Sequence, residues 1–167
     1  MNGKSPPSAT SKSRTPRIVV IGMAMLLFIS LSGFGVHLFR YNLAVQGLED
    51  SWGITVPEDL VLIERHSQDS WHGDGYRLKT FSPAEGAILK DSFFDINRMS
   101  DAELSVDELE LVRAVNDLFS PKNSLTVPRE NLKKNSATPK QDERPLDTLL
   151  CLYDGVSNKF YIYEKRV

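Results

Sequence analysis

Apolar and polar positions follow three different rhythms along this chain. From Ile18 to Phe39, IVVIGMAMLLFISLSGFGVHLF, 22 residues pass without a formal charge, and only Ser30, Ser32 and His37 are clearly polar. As a helix at ~1.5 Å per residue this run reaches about 33 Å, enough for a hydrocarbon core of about 30 Å. The pattern predicts a transmembrane helix over 18–39. The following YNLAVQGLEDSWG keeps a helical spacing until Gly53 and Pro57 stop it, which predicts a stiff stalk over 40–56.

From Leu60 the rhythm shortens to β-rich runs, LVLIER and YRLKTF. In the second, Tyr76, Leu78 and Thr80 alternate with Arg77, Lys79 and Phe81, the period of two that suits a half-exposed strand. Gly73-Asp74-Gly75 between the runs predicts a hairpin reversal, since these residues tolerate positive φ. Helical spacing then returns. SPAE at 82–85 and SVDE at 105–108 have the form of capping boxes, the first leading into Ile88, Leu89 and Phe93, the second into Leu111, Val115 and Leu118, with Leu109, Val112 and Phe119 widening that stripe. Residues 120–145 hold four prolines, six basic residues and only Leu125, Val127 and Leu132 as aliphatic anchors, and read as a mobile basic loop. Leu149 to Tyr153 is apolar on both faces, as a central strand requires, and Phe160 and Ile162 alternate with Tyr161 and Tyr163 in a last strand. The predicted fold is α+β: an N-terminal transmembrane helix, then a small β-β-α-α-β-β domain over 57–167 with an antiparallel sheet.

Charge adds direction to this plan. The net formal charge is -2, but none of the 22 acidic residues and five of the 20 basic ones precede Glu49, so the segment up to residue 48 carries +5 and the remainder -7. Lys4, Lys12, Arg14 and Arg17 lie before the apolar run and only Arg40 follows it at once, which by the positive-inside rule keeps the N-terminus in the cytoplasm. The prediction is a single-pass cell-membrane protein whose C-terminal domain is extracytoplasmic. Residues 1–17 are rich in Ser, Thr, Pro and Lys and read as a disordered cytoplasmic tail. A cleaved signal peptide fits less well, because the run exceeds the usual 7–15 residue core and Phe34 stands where a lipoprotein would need cysteine. An acidic domain is a poor match for phosphate backbones, so nucleic acid is excluded as a partner.

Candidate chemistry concentrates in SWHGDGYRLKTF, residues 70–81. Trp71, His72, Asp74 and Tyr76 are the candidate binding residues, at or beside the tip of the predicted hairpin. His66, His72 and Asp74, with Asp69, supply nitrogen and carboxylate donors for a divalent metal, although histidines six apart across a reversal depart from structural-zinc spacing. No nucleophile elbow, H-E-x-x-H helix, phosphate loop or Cys/His signature occurs in the sequence, so no catalytic residue is named and no cofactor is expected. Cys151 is the only cysteine and lies in a buried run. The reading is therefore a binding or scaffolding domain anchored in the lipid bilayer through 18–39 and facing a protein partner at the outer membrane face. Two alternatives stand beside it: a metal- or histidine-dependent enzyme at the HGDG hairpin, and an accessory subunit of a membrane complex, for which SLSGFG offers small residues that permit close helix approach.

The order of PEDLVLIERHSQDSWHGDGYRLKTF, a helix, and a terminal LLCLYDGVSNKFYIYEKRV resembles a family of short uncharacterised membrane-anchored or secreted proteins of Gram-positive bacteria. The resemblance covers residues 57–96 and 146–165 and rests on the HGDG reversal and the Tyr-rich C-terminal hairpin. The chain departs from that family's glycines at Asp69 and Ser70. The resemblance implies architecture and compartment, and no activity.

Overall fold

The computed structural model describes residues 41–70, 74–101, 103–127, 130–140 and 146–167, together with Met23 and Met25. The predicted tail, 1–17, lies outside them, as does the predicted span, 18–39, apart from Met23 and Met25, which are helical. Among the described residues no helix is long and apolar enough to cross a membrane. The chain divides into two compact units, Met1–Arg40 and Tyr41–Val167.

Tyr41–Val167 is an α+β unit built on one antiparallel sheet. Its strands are β1 (Leu60–Asp69), β2 (Gly75–Pro83), β3 (Leu132–Ala137), β4 (Thr148–Asp154) and β5 (Lys159–Arg166), in the spatial order β1-β2-β5-β4-β3. Helix α1 (41–52) and the loop 87–99 cover one face, and helix α2 (Val106–Phe119) covers the other. Each face has its own core. Ala44, Leu48 and Trp52 of α1 pack with Leu60, Leu62, Phe81, Phe94, Leu149, Cys151, Phe160 and Ile162, while Leu111, Val112 and Val115 of α2 pack with Leu78, Leu150, Leu152, Tyr161 and Tyr163. Burial pushes the Cys151 thiol far above its usual range, which keeps it a protonated core side chain.

Four features differ from the sequence expectation. Within the segment 40–56, expected as a stalk, residues 41–52 place α1 in the core: Ala44, Leu48 and Trp52, at helical spacing, are buried against the sheet. Gly53 ends α1 in the left-handed region at φ +69, and the Ile54 N–H returns to the Leu48 carbonyl. The helix expected from SPAE is absent. Ser82 and Pro83 are the last residues of β2, and the Ala84 N–H bonds the Asp59 carbonyl, extending the ladder that a helix would need to break. Only a 3-10 turn, Ile96–Arg98, follows, while Leu89 and Phe94 drop into the core. The basic stretch 120–145 contains a fifth strand, β3, whose LKKNSA is mostly polar because an edge strand has one neighbour and half-buried faces.

The last difference is a bulge. Leu62 pairs with Phe81 but Glu64 pairs with Thr80, so Ile63 is an extra residue in β1. One added residue inverts the period of two. Leu60 and Leu62 face α1, whereas beyond the bulge Glu64 and His66 face α2 and Arg65, Ser67 and Asp69 face α1.

Candidate functional site

The hairpin that carries the HGDG motif closes at the pair Asp69–Gly75, and the Ser70 N–H donates to the Asp74 carbonyl at 2.6 Å. Gly75 has φ +146, and a Cβ there would lie 1.8 Å from the Gln68 carbonyl oxygen. The motif's last glycine is thus demanded by the backbone. Trp71 and His72 lie outside the described residues. Asp74 is half-buried beside the turn, and Tyr76 packs at the edge of the core under α2. His66 sits on the α2 side of β1, where its Nε2 meets Glu64 Oε1 at 2.6 Å and its ring stacks on Phe119, centroids 5.2 Å apart. Asp69 points to the opposite face. His66 and Asp69 therefore do not converge, and among the described residues no group of metal donors forms.

Glu64 has a different task. Besides His66 it accepts hydrogen bonds from the backbone N–H groups of Lys122 and Asn123 and from Asn123 Nδ2, tying the loop after α2 to β1. Burial works to raise its carboxyl, but these hydrogen bonds prevail and hold it at about 2.

On the α1 face, under the hairpin, lies a polar network that sequence reasoning did not join together. Glu164 of β5 is fully buried; Trp52 Nε1 donates to its Oε2 at 3.1 Å, Arg166 Nη2 lies 3.3 Å away, and Lys79 Nζ contacts its Oε1. Arg77 bridges outward, with Nη1 3.9 Å from Glu164 and Nη2 2.6 Å from Asp69, whose other oxygen accepts from Ser67. Arg166 also donates to Ser51 of α1 at 2.7 Å. Burial, then the guanidiniums of Arg77, Arg166 and Arg65, push the Lys79 ammonium well below the usual lysine range, and the Asp69 carboxylate opposes them. Burial raises Asp69 as well, yet Ser67 and Arg77 overcome this and keep its carboxyl below the usual range. Register explains the assembly. Arg77 pairs with Glu164 across β2–β5 and with Ser67 across β1–β2, and the bulge alone puts Ser67 and Asp69 on this face.

At the other end of the sheet, a groove of about 860 Å³ runs between α2 and the edge strand β3. Leu104, Leu109, Leu132 and Leu152 form its floor, and Asp101, Glu103, Glu130, Lys133 and Lys134 stand along its rim. Lys134 is spoken for: Nζ bonds both oxygens of Glu108, the nearer at 2.8 Å, and the Glu103 carbonyl. Lys133 pairs with Asp101 at 3.6 Å. Glu103 and Glu130 are exposed and make no ion pair among the described residues. Leu109 and Leu132 are visible in the sequence as a helix-stripe residue and a loop anchor, but nothing brings them together until β3 is recognised as a strand. No protein-family model, curated protein or solved structure matches this chain.

Proposed function

We propose that this chain is a single-pass membrane protein, N-terminus in the cytoplasm, whose extracytoplasmic α+β domain binds or scaffolds a partner at the outer face. The uncharged run 18–39 with its basic N-terminal flank supports the anchor and its orientation. The groove between α2 and β3 carries the binding reading: half-buried Leu104, Leu109 and Leu132 over buried Leu152 line a concavity of about 860 Å³, with charged groups around the rim, the size and lining of a ligand site. The covered sheet faces support the same reading, because they leave ends and edges as the surfaces open to a partner.

The test is photo-crosslinking in native membranes. p-Benzoylphenylalanine at Asp101, on the groove rim, is compared with the same group at Glu58, beside β1 at the opposite edge of the sheet. A ligand or protein captured at 101 and not at 58 supports the reading; identical products from both positions overturn it. Protease added to intact cells checks the orientation, since an extracytoplasmic domain is cut from outside.

A further inference from the structure

We propose that the groove between α2 and β3 receives an extended peptide segment that alternates aliphatic and cationic side chains. This rests on the reading of the groove as a binding site and adds the chemistry of its occupant. Charge is the first reason. Asp101, Glu103, Glu108 and Glu130 stand against Lys133 and Lys134 around the groove, and each lysine is already neutralised, Lys134 by Glu108 and Lys133 by Asp101. Among the described residues no cation meets the carboxylates of Glu103 and Glu130, and an anionic occupant would face them there without compensation. The apolar floor is the second reason, since a purely ionic ligand would leave Leu104, Leu109 and Leu132 unused.

Backbone geometry favours a strand as the body that carries these groups. β3 is an edge strand with β4 as its one full neighbour. On its outer side the Lys134 N–H and carbonyl are taken by Ser100, at 2.8 and 2.9 Å, in a single isolated bridge. Because strand backbone groups alternate direction, Leu132 turns its N–H and carbonyl to that same outer side, where no described residue pairs with it. An incoming segment can hydrogen-bond there, set alternate side chains on the leucine floor and bring its cations to the acidic rim.

The test uses the full chain in phosphatidylcholine nanodiscs and three fluorescent, end-blocked hexapeptides: Leu-Lys repeats, Leu-Glu repeats and Ser-Lys repeats. By fluorescence anisotropy the Leu-Lys peptide binds more tightly than either of the others by about tenfold or more, and the methyl signals of Leu104, Leu109 and Leu132 move on its addition. The double variant Glu103→Lys/Glu130→Lys reverses the order of the Leu-Lys and Leu-Glu peptides. Equal binding of all three, a preference that survives the double charge reversal, or methyl shifts confined to other leucines overturns the proposal. Failure here is separable from failure of the binding reading. A lipid or anionic molecule crosslinked at position 101 and not at 58 would sink the peptide proposal and leave the groove as a binding site.

Discussion

The two faces of the sheet are held by different means. Toward α2 the joint is hydrocarbon and aromatic: Leu111, Val112 and Val115 meet Leu78, Leu150, Leu152 and Tyr163. Toward α1 the apolar contacts of Ala44 and Leu48 give way, at the end of the helix, to Trp52 and Ser51 bonded into a buried network of Glu164, Lys79, Arg77 and Arg166. Apolar burial stabilises without fixing direction, whereas buried ions stabilise little in net terms and penalise any misplacement heavily. Both faces therefore supply adhesion, and the ionic network on the α1 face also fixes where the helix following residue 40 must sit.

Removing one member of the ionic network gives the sharpest contrast. Glu164→Ala leaves Lys79, Arg77 and Arg166 crowded without their shared carboxylate, and lowers unfolding stability in urea by about 3–5 kcal/mol. A loss below about 1 kcal/mol would dissolve the distinction between the faces. On the other face Leu152→Ala, at a fully buried position, lowers stability by about 3 kcal/mol through lost transfer energy and a cavity, with no change in its pH dependence. Acid provides a third test. The Glu64 carboxyl sits at about 2 in the folded chain, below its ordinary value near 4.5, so its contribution is complete above that ordinary value and disappears as the pH falls toward 2. The loss is on the order of 2 kcal/mol, and Glu64→Gln, which lacks this titration, flattens the stability profile over that window. The smallest effect concerns the cap of α2: Ser105→Ala removes the hydroxyl that accepts from the Glu108 N–H and lowers stability by about 1 kcal/mol in the same urea experiment.

Legibility in the sequence followed how local each determinant is. SVDE reads as a capping box, and both of its reciprocal bonds are present at the start of α2. The runs around LVLIER, YRLKTF, LLCLYD and KFYIYEKR became β1, β2, β4 and β5, each betrayed by its own alternation or apolar density. SPAE carries the same cap grammar yet lies at the end of β2, because the Asp59 carbonyl offers the Ala84 N–H a partner 25 positions away in the chain. β3 was hidden for the opposite reason: LKKNSA lacks any strand signature, and its pairing is dictated by the free edge of β4. The polar network was beyond reach for a further reason. Its members come from residues 51 to 166, and two of them, Ser67 and Asp69, face α1 only because of an unpaired residue at Ile63 that no local pattern announces.

The strand order carries a consequence for how the polypeptide is made. β5 follows the other four strands along the chain yet is seated third of five, between β2 and β4. A nascent chain shorter than about 160 residues can form the β1–β2 ribbon and the β3–β4 ribbon, but each keeps a raw edge toward the other. Translation must deliver Lys159–Arg166 before the halves join, and the same eight residues bring in Glu164 and Arg166. Closure of the sheet and locking of α1 are thus one event, and an arrested or truncated product offers sticky edges to chaperones or to its own neighbours.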